Sequence, residues 1–382
     1  MVAASAPAAT LSDAAPRCGP ATGDGAPSLG YIPQTMSRPR YDVVEVLGDG
    51  ISSELSTAVH RVADALPVDL VFHPVDLSRA SREKGDLDAL YGEAETRIRL
   101  HRNALKYPTE TFRESPNQVL RERLRFSVIH RPVATIPSIP THFTQPLDLH
   151  IVRVATGGTY EDAGRTIGLD AAVSIRVIER RPSTEAAWFA FRLANQLGCG
   201  VVSTSKWTIQ RAADGLFEES VDGVARRYPG VRHRRELFDA LLARLVMVPD
   251  QYRVIVTPNE YGDFLSDLAC GLIGSLGLGD SAAYSFTKDG EIDCALFDPA
   301  GGTAPDIAGK DVCNPSAALF AMSTLLTHVG QTALGAALKR ATLDAIGGGE
   351  RTRDLGGTLG TRAFTEVIVR RMLALLEGAP AT

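Results

Sequence analysis

The sequence predicts an α/β protein with two domains. Three observations lead there. From Tyr41 onward, short β-branched runs alternate with amphipathic helical patterns, glycine and proline punctuate the junctions, and 382 residues exceed what one hydrophobic core usually serves. Residues 1–40 stand apart: they are rich in Ala, Pro, Gly and Ser, with little to bury, and are expected to form a flexible tail. That segment lacks the basic start and apolar core of a signal peptide.

The elements follow in order. "YDVVEVLG" predicts a strand and "SELSTAVHRVADAL" an amphipathic helix. "SVIHRPV" and "LDLHIVRVA" predict strands, "TEAAWFAFRLANQLG" a helix, and "CGVVSTS" the next strand. "GLFEESVDGVARRY" and "RRELFDALLARLVMV" predict helices, "RVIVTPN" a short buried strand, and "NPSAALFAMSTLLTHVG" a helix near the end. Sites are expected at strand ends.

A net charge of -5 and a pI of about 5.9 give no bias toward nucleic acid or an anionic membrane. No apolar run reaches membrane-spanning length. Cys18, Cys199, Cys270, Cys294 and Cys313 form no C-x-x-C pair, which points to thiols in a reducing, cytoplasmic setting rather than a disulfide frame or zinc site.

"NEYGDFLSDLACGLIGSLGLG" places Asp263 and Asp267 four residues apart in an otherwise apolar, glycine-rich stretch. Pro258, Asn259 and Gly262 read as a turn, with the helix beginning after them and Asp263 in its first turn. Two acids at this spacing repel by about 0.2–0.5 kcal/mol, and a cation reverses the sign. Mg²⁺ or Mn²⁺ suits one or two carboxylates plus ligand oxygens. The bland alternative is a helix-start acid and a solvated acid.

In "ESPNQVLRERLRFSVIHRPV", Ser115 can cap a helix, Pro116 fits its first position and Asn117 its first turn, which together make a carboxylate-binding helix start. Arg121, Arg131 and Arg153 follow in helix and strand patterns. Singly they read as surface cations, and together as a clamp for a di- or tricarboxylate. Gly157 and Gly158 precede Tyr160, a general acid or a packing aromatic. Lys206 ends a strand, as a base or a snorkelling surface residue. "GGTAPDIAGKDVCNP" is a glycine-rich loop with Asp306 and Asn314, too loose to be a dinucleotide fingerprint by itself.

Taken in order, these segments resemble the β-decarboxylating dehydrogenases: isocitrate, 3-isopropylmalate, homoisocitrate and tartrate dehydrogenases. The resemblance spans residues 41–378 and rests on "LGDGISSEL", "LKYPTETF", "SPNQVLRERL…HRPV", "NEYGDFLSDLACGLIGSLGLG", "GGTAPDIAGKDVCNP" and "RDLGGTLGTRAFTEVIV". It implies a discontinuous large cofactor-binding domain, residues 41–126 and 275–382, and a smaller substrate, metal and dimerisation domain, residues 127–274. It implies Tyr160 and Lys206 as the acid–base pair. Substrate would be held by Ser115, Asn117, Arg121, Arg131, Arg153 and Thr208. Asp239, Asp263 and Asp267 would be the ligands of Mg²⁺ or Mn²⁺. NAD would sit against Thr109, Gly302, Thr303, Ala304, Pro305, Asp306, Ile307 and Asn314, with Asp306-Ile307 matching the NAD-preferring type. Lys206 and Asp239 would be donated by the second subunit of a homodimer with shared active sites.

The departures are Val154-Ala155 for Glu-Asn, Trp207-Thr208 for Ala-Asn, Gly301 for the cofactor-loop His, and Glu260 for a common Leu. The expected reaction is metal-dependent, NAD-linked oxidative decarboxylation of a 3-substituted malate, isocitrate-like or homoisocitrate-like. The alternatives are a 3-isopropylmalate dehydrogenase, a non-catalytic regulatory-type subunit and a plain α/β binding protein.

Overall fold

A computed structural model describes residues 38–136, 138–141, 146–274 and 278–378. The predicted tail, apart from its last residues, lies outside the described residues, as does Cys18.

The chain opens with β1 (Arg40–Leu47), α1 (Ser52–Ala63), β2 (Asp69–Asp76), α2 (Arg79–Lys84), α3 (Leu87–His101) and β3 (Asn103–Lys106). β1 shows why these residues make a central strand. Val44 and Val46 enter a core on one face, and Val43, with Tyr41 and Leu47 beside it, enters the larger core on the other. α4 (Pro116–Leu124) begins as the sequence predicts: Ser115 Oγ accepts from Gln118 N–H at 3.5 Å and proline takes the first helical position. β4 (Val128–Ala134), β5 (Asp148–Val154), the small hairpin β6 (Arg165–Ile167) and β7 (Ala171–Val173), α5 (Arg180–Leu197), β8 (Val201–Ser205) and α6 (Ala213–Ala225) follow.

Two expectations change in the next stretch. "RREL" is not the start of a helix but part of β9 (His233–Leu237), paired in parallel to β8, and α7 (Phe238–Met247) begins only after it. The charged side chains of β9 suit its place at the sheet edge. After β10 (Val254–Thr257), α8 (Asn259–Leu272) starts directly at Asn259. Glu260 therefore occupies its first turn, and Asp263 lies one turn further in. Gly262 is inside the helix and marks a close approach: a Cβ there would stand 2.7 Å from Arg153 Cβ and Cγ. The chain ends with β11 (Asp280–Phe286), β12 (Ile292–Pro299), α9 (Ser316–His328), α10 (Thr332–Gly347) and α11 (Thr361–Leu376).

Ten strands form one sheet in the order β2-β1-β3-β12-β11-β4-β5-β10-β8-β9. Strands drawn from residues 40–106 and 280–299 make one half, and strands drawn from 128–257 make the other. Each half carries a run of parallel strands, and β11, β4 and β5 join them through antiparallel pairs. Helices cover both faces. α9, α10 and α11 contribute Leu319, Leu325, Leu338 and Phe364 to the largest core, while α7 and α8 pack Leu241, Leu245 and Leu265 in a separate one. Cys199, Cys270, Cys294 and Cys313 are all free thiols. No helix among the described residues is long and apolar enough to cross a membrane.

Candidate active site

β4, β5 and α8 build the centre of the site. Arg131 lies opposite Ile151, and Arg153 opposite Ile129, in the antiparallel β4–β5 pair, so both guanidinium groups rise near the first turns of α8. Arg153 is almost fully buried, and its Nε donates to Asn259 Oδ1 at 2.8 Å. Its Nη1 donates to Asp263 Oδ1. The other oxygen of Asp263 accepts from the Tyr160 hydroxyl at 3.1 Å. Arg131 Nη1 donates to Ser266 Oγ at 2.6 Å and lies 3.4 Å from Asp267 and 3.8 Å from Asp263. Arg131 Nε is buried without a hydrogen-bond partner, and Arg121 makes no side-chain hydrogen bond to the described residues.

Ser115, Arg121, Arg131, Arg153, Tyr160 and Asp263 line one cavity of ≈ 450 Å³. Burial holds the Arg153 guanidinium down to about 10 and lowers Arg121 as well. Arg121 and Arg131, two under-satisfied guanidinium groups in a shared cavity, make an anion site: a carboxylate would complete their hydrogen bonding. Burial and then the Asp263 charge raise the Tyr160 hydroxyl, which keeps it protonated.

The donor set also fits a divalent cation. Asp263 and Asp267 both offer carboxylate oxygens, both approach Arg131, and both line a second cavity of ≈ 330 Å³, with Asp267 71 % exposed.

Other predicted residues lie elsewhere in the chain. Asn117 lines a separate crevice with Lys106, Arg121 and Asp298. Lys206 Nζ donates to Asp239 Oδ1 at 2.9 Å, and that contact holds the Asp239 carboxyl below its usual range. Thr208 follows in an exposed turn. Lys206, Thr208 and Asp239 do not line the arginine cavity of their own chain.

The candidate cofactor residues form a third group. Three distant segments are sewn together there: Asp49 N–H donates to Pro108 O at 2.8 Å, Glu110 N–H to Asp49 Oδ2 at 2.7 Å, and Ile51 N–H to Thr303 O at 2.9 Å. A Cβ at Gly48 would collide with Pro108 O at 2.0 Å and crowd Thr109 Cγ2 at 3.1 Å. Gly302, Thr303, Ala304, Pro305, Asp306 and Ile307 continue the loop after β12, with Ile307 packed against the core and Asp306 exposed. Glu54 ties the far end of the loop by accepting from Gly309 and Asp311 N–H. Asn314 donates to Asp354 at 2.9 Å and accepts from Ser316 N–H at 2.9 Å, joining the loop to the start of α9.

The chain matches the isocitrate/isopropylmalate dehydrogenase family over residues 42–368. It belongs to that family. A mitochondrial NAD isocitrate dehydrogenase subunit 2 from Saccharomyces cerevisiae is 33% identical over 367 residues, which cover 94% of this chain and 95% of the relative. An isocitrate/homoisocitrate dehydrogenase from Thermus thermophilus is 32% identical over 342 residues, covering 88% of this chain and 99% of that protein. The crystal structure of an isocitrate dehydrogenase from Methylococcus capsulatus superposes with a TM-score of 0.77 at 32% identity, over 87% of this chain and 99% of that one. The family is one of oxidatively decarboxylating dehydrogenases, so the sheet, the arginine cavity and the glycine-rich loop belong to an enzyme fold.

Sequence reasoning missed part of this dehydrogenase's site. Arg176, Glu260 and Asp214 form a buried ion cluster beside it. Only Glu260, an acid at the start of an apolar helix, signals its need for a cation. The departures sort by position: Val154 is in the core, Ala155 lines the arginine cavity, and a Cβ at Gly301 would meet nothing within 4 Å. Asp42, His73 and His101 bring ligand atoms within 4.8 Å of one another at the sheet edge. Arg40 donates at 3.0 Å to Asp42 Oδ1, the oxygen that His73 Nε2 meets at 2.8 Å, so that acid already has a cationic partner.

Proposed function

We propose that this chain catalyses the metal-dependent, NAD-linked oxidative decarboxylation of a 3-substituted malate, isocitrate-like or homoisocitrate-like, as a homodimer whose sites draw on both subunits. The observation that carries the reading is the convergence of Arg121, Arg131 and Arg153 with Tyr160 and Asp263 in one cavity. Three arginines fit a substrate with more than one carboxylate. Asp263 and Asp267 would hold Mg²⁺ or Mn²⁺ with Asp239 of a second copy. When bound, NAD⁺ supplies the hydride acceptor, and the cation supplies charge that favours oxidation at C2 and loss of CO₂.

The chain's own residues then have defined tasks. The arginines fix the carboxylates. Lys206 of one subunit takes the C2 hydroxyl proton through a water, and Tyr160 of the other returns a proton to C3 after decarboxylation. The products are a 2-oxo acid, CO₂ and NADH.

Two features support a dimer. Lys206 and Asp239 are paired away from the arginine cavity of their own chain. Apolar side chains stand exposed on α7, α8 and the β6–β7 hairpin: Met247, Phe264 and Leu169, the last fully exposed. On this reading the half of the sheet built from the chain's two ends would be the cofactor part, and the half between them the substrate and dimerisation part. A regulatory-type subunit is the second reading, because a relative 32% identical over 338 residues, from Dictyostelium discoideum, is named a regulatory subunit. The retained Tyr160, Lys206 and three aspartates weigh against it.

The test is a panel of isocitrate, homoisocitrate, isopropylmalate, tartrate and malate with NAD⁺ and Mn²⁺, read as NADH formation. Turnover of one 3-substituted malate is expected. No turnover of any acid by a folded, dimeric protein would favour the regulatory reading.

A further inference from the structure

Arg176 stands where two groups of site residues meet. The segment that leaves β5 carries Tyr160, turns through the β6–β7 hairpin and returns at Arg176. Gly158 and Val177 close it with a reciprocal pair of backbone hydrogen bonds of 2.6 and 3.1 Å. Arg176 Nε donates to Glu260 Oε1 at 2.5 Å, and its Nη1 donates to Asp214 Oδ1. Glu260 lies in the first turn of α8, three residues before Asp263. Asp214 turns its other oxygen to the Lys206 backbone N–H at 2.7 Å. Both acids are buried.

Packing follows the same line. The Arg176 guanidinium lies 5.1 Å from the centre of the Tyr261 ring, and that ring stacks at 4.5 Å on Phe238, the neighbour of Asp239. From the other side the segment presses on Glu260: Gly158 has φ +73°, and a Cβ on it would stand 1.9 Å from Glu260 Oε2. One cation holding two buried acids is an expensive arrangement, since removing the cation strands both charges. No atom of this cluster lines the arginine cavity, so it does not itself touch a group bound there. Its consequence is mechanical: the Tyr160 segment, the Asp263 helix and the point where Lys206 leaves β8 share one fork.

We propose that Arg176 is a positioning residue that couples the two half-sites of one chain, Tyr160–Arg153–Asp263 and Lys206–Asp239. In a dimer with shared sites, each Arg176 therefore links the site its chain houses to the site its chain completes in the partner. This last step rests on the shared-site reading, whereas the coupling within one chain does not.

Arg176→Lys keeps the charge but loses the planar fork that reaches both carboxylates. Hydrogen–deuterium exchange on the dimer is expected to rise in both 157–163 and 206–212, with β4 unchanged. A rise in only one segment, or in neither, overturns the coupling whatever the enzyme's substrate. If Arg176→Lys does not fold, Glu260→Gln, which keeps shape and an acceptor, is expected to give the same paired rise.

Activity supplies the second arm. In a mixed dimer of Tyr160→Phe and Lys206→Ala chains, one site holds both intact residues. Arg176→Lys placed on either chain is expected to lower kcat for isocitrate or homoisocitrate, whichever is turned over, by about ten- to a hundredfold, with KM for NAD⁺ unchanged. Loss from one placement only overturns the coupling. A parent mixed dimer without activity defeats the shared-site reading instead, and the exchange result then decides the coupling alone.

Discussion

Arg153 and Asp263 form an ion pair that joins the end of β5 to the second turn of α8, with the guanidinium buried and the carboxylate a third exposed. The pair gives Asp263 two duties: it balances a buried cation, and it is a candidate metal ligand. Asp267, largely exposed, is also a candidate metal ligand but meets only the less buried Arg131, at 3.4 Å.

The two aspartates should therefore differ in stability but not in turnover. Asp267→Asn is expected to leave the unfolding free energy within about 0.5 kcal/mol of the wild type. Asp263→Asn is expected to cost about 1–3 kcal/mol, the usual penalty for stranding a buried charge discounted for the solvent on its partner. Both should abolish Mn²⁺-dependent NADH formation. Urea unfolding and Mn²⁺ titration separate the effects, and full activity after exhaustive chelation would remove the metal assignment.

On the proposed function, cofactor choice would rest on Asp306. Its carboxylate is exposed on a loop anchored through Thr303 and, beyond it, by Glu54. It can accept from a ribose 2′-hydroxyl and would repel a 2′-phosphate. NAD⁺ is expected to exceed NADP⁺ in kcat/KM by about tenfold or more, in line with one hydrogen bond to a charged group. Asp306→Ala should narrow that ratio. A wild-type preference for NADP⁺ would show that Asp306 does not face the ribose.

How much of this was readable in the sequence varies with the range of the interaction. Ser115 and Pro116 announce the start of α4 because capping is local, and Asp263 and Asp267 announce themselves through one helical turn. The strand "HRREL" was hidden because its pairing partner β8 lies about thirty residues earlier and a real helix follows without a break. Gly262 looked like a turn residue, yet it is a notch for Arg153, more than a hundred positions away. The Arg176 cluster joins residues 38 and 84 apart in sequence, from an irregular stretch with no periodicity to read. The separation of Lys206 and Asp239 from the arginine cavity is likewise a property of the folded sheet, invisible in either motif.

Acid sensitivity should come from a histidine pair on β4 and β5 that lines none of the site cavities. His130 Nε2 lies 2.9 Å from His150 Nδ1, and burial pushes both down, His150 to about 4. Asp148, Lys339 and Arg253 face the pair, the first raising and the other two lowering the His150 value. The unfolded chain takes up these protons near pH 6.5, whereas the folded one resists until lower pH, so stability is full above about 6.5 and falls as pH drops. Between about pH 6.5 and 5 the loss should be at most about 2 kcal/mol per histidine. Replacing both by Gln should flatten the slope of unfolding free energy against pH in that window. An unchanged slope would place the acid sensitivity in other groups.

The division of acid–base groups between subunits is the most exposed expectation. Tyr160 bonds to Asp263 inside the arginine cavity, while Lys206 is paired to Asp239 away from it. If each site takes Tyr160 from one chain and Lys206 from the other, Tyr160→Phe and Lys206→Ala homodimers should each lose about 10²–10⁴-fold in kcat. Co-folding the two variants at equal amounts makes about half of the dimers hybrid under two-fold pairing. One site of each hybrid then holds both intact residues and the other holds neither. Recovered activity should approach roughly a quarter of wild type for independent sites. Hybrid dimers demonstrated by mass spectrometry but devoid of activity would mean that one chain supplies both residues to its own site. Arg176 would then tie together two parts of a single centre, and the Lys206 loop would have to swing toward the arginine cavity of its own chain when substrate binds.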